Sequence, residues 1–176
     1  MIIREMTRDD HAGVVQIVES LPEWFDETAR SHSIPIDIQH QGGFVAVQDG
    51  RVVGFVTLYV AEGRLQIGWL GVGMGFQRKG IGKALLHRVE ERALELGIAE
   101  VATYTLGDGV DYPPYEQTRM FYFQNGFEVY QRNQTDNPGC PEEICIRKRV
   151  VQPSAPADED ATHRTPCRKP SGSTIG

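Results

Sequence analysis

The strongest chemical signal in the chain is the ten-residue stretch QRKGIGKALL, residues 77–86. Gly80 and Gly82 stand among the basic residues Arg78, Lys79 and Lys83, where an apolar, strand-like run gives way to a helical pattern. Two readings fit this stretch taken alone. In the first, the glycines serve a tight strand-to-helix turn and the basic side chains are solvated. In the second, the free N–H groups of a helix's first turn hold an anion such as a phosphate, and the helix dipole favours it. Glycine then lets the backbone approach closely. Basic side chains, which otherwise oppose the dipole at this end of a helix, become useful. The stretch is not a P-loop: Gly75 and Gly80 have the first spacing, but Ile81 and Gly82 follow where Lys and Ser/Thr are required. It is not a dinucleotide fingerprint either. Gly71 and Gly73 would need glycine at Phe76, and Gly80 and Gly82 would need one at Leu85.

The elements that must position this stretch follow from periodicity and turn chemistry. Residues 2–6 read as a first strand. Thr7, with Asp10 three residues on, resembles a capping box with a shorter acid. Val14, Val15, Val18 and Leu21 give helical spacing, which Pro22 stops. Residues 23–33 suit a second short helix. Residues 33–43, with Pro35 and two glycines, read as a loop. FVAVQ and RVVGFVTLYV flank Asp49-Gly50, a pair suited to a tight hairpin because both central positions tolerate φ > 0. Glu62-Gly63 turns the chain again into RLQIGWLGV. The pattern then changes period. Ile81, Leu85, Val89, Ala93 and Leu96 form a stripe on one helical face, closed by Gly97. EVATYTL at 100–106 returns to strand, giving a strand–helix–strand crossover with parallel strands. Residues 107–114 read as a loop, 115–125 as a helix closed by Gly126, and FEVYQ and EEICIRKRV as two last strands.

These residues carry a resemblance to a known family. Gln77, Gly80 and Gly82 match Gln/Arg-x-x-Gly-x-Gly/Ala, and WLGVGMGFQRKGIGKALL is similar to the strand, pyrophosphate loop and helix of the GNAT superfamily of acetyl-CoA-dependent N-acetyltransferases. Downstream, TRMFYFQNGFEVY resembles that family's late helix and strand, with Phe121-Tyr122 followed by Gly126-Phe127. The resemblance covers about residues 1–150. It implies an α/β fold of α+β type: a mixed, mostly antiparallel sheet of six to seven strands, flanked by about four helices, with one splayed parallel pair. Acetyl-CoA is implied as cosubstrate and a primary amine, of a small molecule or a peptide, as the acceptor that attacks it directly in a ternary complex. By the same resemblance, the backbone of Leu70, Gly71 and Val72 pairs with the pantetheine arm. The N–H groups of Arg78, Lys79, Gly80, Ile81, Gly82 and Lys83 hold the pyrophosphate, and Tyr122 protonates the leaving thiolate.

Many relatives place a glutamate on the strand before the loop. RLQIGWLGV holds no acid, and Gln66 lies near where one is expected. A non-catalytic CoA-binding module of the same fold is therefore an alternative reading. Glu23, Asp26, Asp108, Asp111 and Glu116 lie on segments that border the acceptor side in this fold, each equally readable as a solvated surface acid. Trp69 reads as core beside the cofactor strand. VDYPPYEQ, residues 110–117, reads either as one wall of the acceptor pocket or as a plain loop.

Composition bounds the rest. A net charge of −6 disfavours a nucleic-acid partner, which needs a basic face. The chain has no apolar run near the roughly 20 residues of a membrane span, and 1–10 carry charge where a signal peptide is apolar. Three cysteines, Cys140, Cys145 and Cys167, have no metal spacing, nor have His11, His32, His40, His87 and His163. No metal is expected, and the cytoplasm is the expected compartment. Residues 151–176 hold four prolines and almost no large apolar side chain, so a disordered tail is expected. A homodimer through the last strands or a helix face is left open.

Overall fold

The computed structural model describes residues 1–109, 111–137 and 140–150. The expected tail, 151–176, lies outside the described residues. One seven-stranded sheet runs in the order β1-β2-β3-β4-β5-β7-β6. Its strands are β1 (Ile2–Glu5), β2 (Gly42–Gln48), β3 (Arg51–Ala61), β4 (Arg64–Val72), β5 (Glu100–Leu106), β6 (Glu128–Gln134) and β7 (Glu142–Arg149). Every pairing is antiparallel except β4 with β5. Helices α1 (His11–Glu19) and α2 (Ile34–His40) cover one face, and α3 (Ile81–Glu95) and α4 (Pro113–Gln124) the other.

The local signals explain most of this. Asp49 and Gly50 take φ of 50° and 73°, and Glu62 and Gly63 take 53° and 73°, as two tight hairpins require. The Thr7 N–H and hydroxyl donate to the Asp10 carboxylate at 2.8 and 2.9 Å. Both terminal nitrogens of Arg4 donate to the same carboxylate at 2.7 Å, which ties β1 to the start of α1. On α3, Ile81, Leu85, Val89 and Ala93 are buried against the sheet. α3 sits close because Gly54 of β3 has no side chain: a Cβ there would stand 3.0 Å from Ile81 Cγ2. Gly97, with φ of 68°, ends the helix as its N–H donates to the Leu94 carbonyl at 3.0 Å.

Two expectations need correction. Residues 33–43 are not a loop, because Ile34–His40 is helical. Pro35 lies in the first turn of α2, where its missing N–H costs little. The preceding Ala29–Ser33 winds as a wider π turn and carries the chain into α2. Leu96, the last member of the α3 stripe, is 53% exposed, since the helix ends before it reaches the sheet.

Candidate functional site

The site begins with a defect in β4. Val56 pairs with Leu70 and Leu58 with Ile67, so Gly68 and Trp69 together stand opposite Thr57. The Trp69 N–H donates to the Thr57 hydroxyl at 2.9 Å instead of to a backbone carbonyl. Only glycine fits at 68, where a Cβ would lie 2.4 Å from Gln41 Oε1 and 2.8 Å from Thr57 Oγ1. Such a bulge bends its strand. The parallel ladder of β4 with β5 accordingly contains only Leu65↔Val101 and Gln66↔Ala102. Past the bulge, Leu70, Gly71 and Val72 still pair with β3, but their other edge meets no strand.

A cleft of about 670 Å³ opens along that edge. Leu70, Gly71 and Val72 form one side, the loop and first turn of α3 the end, and α4 from Gln117 to Asn125 the other side. Gln77, Arg78, Gly80, Ile81, Gly82 and Lys83 all line it, as does Tyr122. Lys79 does not: its Nζ donates to the Gly75 carbonyl at 2.8 Å and lies over the Phe76 ring. The Gln77 side chain donates to the Val72 carbonyl at 3.2 Å, so it braces the loop against the end of β4.

The loop backbone is shaped to present N–H groups. Arg78 has φ of 59° and Gly80 of 81°, both left-handed, and for arginine that conformation is costly. The α3 N-terminus has no side-chain cap and no acid in its first turn. Its first intrahelical bond is Ala84 N–H to Gly80 C=O at 3.0 Å, which leaves the N–H groups before it free of helical acceptors. Arg78 and Lys83 form no ion pair among the described residues. Gly82 lets α4 close over the turn, since a Cβ there would stand 3.1 Å from the Phe121 ring. The end of the cleft thus gathers N–H donors, a helix N-terminus and two cations without an ion pair among the described residues, a set whose chemistry suits an anion.

Tyr122 lies deep in the same cleft, 6% exposed, packed edge-on against Phe121 and Phe127. Burial pushes its phenol far above the ordinary tyrosine value, with the neighbouring Thr103 hydroxyl acting weakly the other way. The phenol therefore stays protonated at physiological pH. Arg119, one turn before it, is buried and donates from one nitrogen to the carbonyls of Leu106 and Gly107 at 3.1 and 2.9 Å. That contact docks α4 on the end of β5, and nothing in the sequence signalled it.

The candidate acids fare differently. Asp26 accepts the Ala29 N–H at 2.7 Å as a helix cap. Asp108 is ion-paired with Arg132 at 2.7 Å on the surface. Glu23 takes part only through its carbonyl, which accepts from the Tyr112 hydroxyl at 2.9 Å. Asp111 and Glu116 are exposed. The 111–117 segment is tied to Trp24: Trp24 Nε1 donates to the Pro114 carbonyl at 3.2 Å, and the Tyr115 hydroxyl to the Trp24 carbonyl at 2.9 Å. Trp69 is half-buried, packed on Phe25, and donates its Nε1–H to Asp37 at 2.7 Å.

A seven-stranded mixed sheet parts at its one parallel pair beside a helix N-terminus that has no side-chain cap. The Acetyltransferase (GNAT) family profile matches residues 6–127, and the chain belongs to that family. No curated protein matches the chain. Among solved structures, a GNAT-family protein from Desulfovibrio desulfuricans is 23% identical, with a TM-score of 0.73, covering 85% of this chain and 99% of its own. The ribosomal-protein-S18-alanine N-acetyltransferase from Escherichia coli is 15% identical, with a TM-score of 0.68 and coverage of 86% and 95%. An aminoglycoside 6'-N-acetyltransferase complexed with coenzyme A is 17% identical, with a TM-score of 0.65 and coverage of 88% and 100%. At these identities the likeness is one of fold.

Proposed function

We propose that the protein transfers an acetyl group from acetyl-CoA to a primary amine by direct attack in a ternary complex. The observation that carries this reading is the break in the β4–β5 ladder, which opens a cleft between an unpaired strand edge, an uncapped helix N-terminus and a buried tyrosine. The residues fit the cosubstrate. The loop N–H groups of 80–83, with Arg78 and Lys83, suit a pyrophosphate, and the free edge of Leu70–Val72 suits an amide-bearing arm. Only the ammonium of Lys79 is withdrawn from this set, because it is turned onto Gly75 and Phe76. Coenzyme A in the complex of the aminoglycoside 6'-N-acetyltransferase, which shares this fold, supports the choice.

Acetyl-CoA supplies the acyl group as a thioester. In this reading a backbone N–H near Val72 polarises the thioester carbonyl, as an oxyanion hole does. The neutral amine nitrogen bonds to the carbonyl carbon and the C–S bond breaks. Tyr122 gives its proton to the departing sulfur, the amine's surplus proton leaves to solvent, and the Tyr122 phenolate takes a proton back from solvent. A thiol pKa near about 8.5 makes that proton helpful rather than obligatory. We further propose that residues 1–150 suffice for this activity.

Isothermal titration with acetyl-CoA, followed by a thiol-release assay over an amine panel, tests the reading. Absence of binding at high micromolar acetyl-CoA by folded protein would sink it. β4 carries no acid, which favours a second reading, a CoA-binding module without turnover. Binding without thiol release on any acceptor selects that reading instead.

A further inference from the structure

The opposite face of the same strands carries a second set of chemistry. Strand register and alternation place Tyr59, Gln66, Ala102, Tyr104, Cys145 and Glu143 on the α1–α2 side of the sheet. Gln66 stands between Tyr59 and Ala102, and Tyr104 lies one step further along β5, beside Cys145. Ala102, the small residue in this row, is fully buried, and the row forms the floor of this face. Tyr59 is 38% exposed and Tyr104 51%, large aromatic surface left open to solvent. Asp37 reaches this floor from α2 through its bond to Trp69. Tyr115 joins the floor to the cleft: its hydroxyl holds the carbonyl of Trp24, which lines the cleft.

The charges on this face do not balance locally. Arg64 is held by Glu100 at 2.8 Å and Glu62 at 3.3 Å. Arg147 is held by Glu100 at 3.3 Å and Glu128 at 3.6 Å. Asp37 and Glu143, both partly buried, form no ion pair among the described residues. Among the described residues Glu143 accepts from Asn133 at 3.3 Å and from the Cys145 thiol at 3.8 Å. Burial is the first cause that raises both phenols; Asp37 and then Glu143 add to it at Tyr59, and Tyr59, Glu143 and Asp37 in that order at Tyr104.

We propose that this face takes the amine acceptor, and that the acceptor carries a second cationic centre held over Tyr59 and Tyr104 between Asp37 and Glu143. The proposal rests on the transfer reading above. The reacting nitrogen must be neutral when it attacks, so it cannot stay the charge partner of two carboxylates. A permanently charged group elsewhere on the same molecule can, and aromatic faces bind it further. Diamines and polyamines have that chemistry.

The test compares cadaverine with n-pentylamine, equal in length and differing in one ammonium. Binding to the full chain is followed by calorimetry at saturating CoA, alongside the acetyl-CoA affinity. Cadaverine binds at least about tenfold more tightly, the sum expected of one ion pair and one cation–π contact. In Asp37→Asn with Glu143→Gln the ratio falls towards one, while the acetyl-CoA affinity is unchanged. Tyr104→Leu, at a half-exposed ring, is the second variant and lowers the ratio several-fold. Equal binding of the two amines to the wild type, or a ratio that survives the double substitution, overturns this proposal alone. Failure to bind acetyl-CoA overturns the transfer reading and this proposal with it.

Discussion

Thr103 Oγ1 of β5 donates a 3.0 Å hydrogen bond to the carbonyl of Ile67 on β4, one residue past the last backbone pair, Gln66↔Ala102. A side chain thus makes the final link between two strands that then part. The same hydroxyl neighbours the Tyr122 phenol. One residue therefore touches both the point where the sheet opens and the surroundings of Tyr122.

Thr103→Val keeps the shape and deletes the donor. The Ile67 carbonyl is left unpaired in a buried setting, which costs about 1–2 kcal/mol. Urea denaturation should show a lower midpoint with an unchanged slope. A midpoint equal to wild type would mean the strands part without this link.

Tyr122→Phe removes the proton donor and keeps the ring packed against Phe121 and Phe127. We expect kcat to fall by about 10- to 100-fold, at the low end for acid catalysis because a thiolate is a fair leaving group. The acetyl-CoA affinity should be unchanged. Equal kcat in steady-state assays would remove Tyr122 from the mechanism.

Gly80→Ala meets open space but must take φ of 81°. Left-handed backbone costs a non-glycine residue about 1–2 kcal/mol. The expected result is a lower melting temperature together with weaker acetyl-CoA binding, as the loop N–H groups move. Unaltered binding by calorimetry would argue that the loop does not hold the pyrophosphate.

Asp10 is held at a pKa of about 2, first by its bonds to Arg4, and against the opposing effect of its own burial. A carboxylate whose pKa is lower folded than unfolded stabilises above its unfolded value, and the effect is lost as pH falls. Asp10→Asn should therefore cost about 1–2 kcal/mol at pH 7, discounted for the half-exposed Arg4 partner. The deficit should shrink between about pH 4 and pH 2. A deficit independent of pH in thermal melts would show that the carboxylate charge is not what matters.

Much of the architecture is legible in local signals. Asp49-Gly50 and Glu62-Gly63 mark their hairpins because few other pairs accept positive φ at both positions. The α3 stripe marks its buried face for four members and fails at Leu96, where the helix has ended. Residues 33–43 misled because proline, glycine and a π turn look alike to a reader of periodicity. Whether Pro35 breaks a helix or starts one depends on the turn before it.

The sequence by itself determined the loop chemistry. Glycine at 80 and the basic residues beside it specify a backbone shape and a charge that depend on no distant residue, whereas Gly82 answers to Phe121 of α4. Only the tertiary structure decided the rest. The order of the last two strands puts β7, not β6, beside β5, which brings Cys145 and Glu143 onto the face of Tyr104. Asp37, Tyr59 and Glu143 come from α2, β3 and β7, and no spacing along the chain relates them. Lys79 turned out of the cleft although it sits in the motif, because an alternative acceptor and an aromatic ring lay within reach of a flexible side chain. Arg119 docks α4 through two carbonyls that exist as a pair only where β5 ends. Backbone conformation is a local property of residue type, whereas the meeting of side chains across a sheet depends on register and strand order.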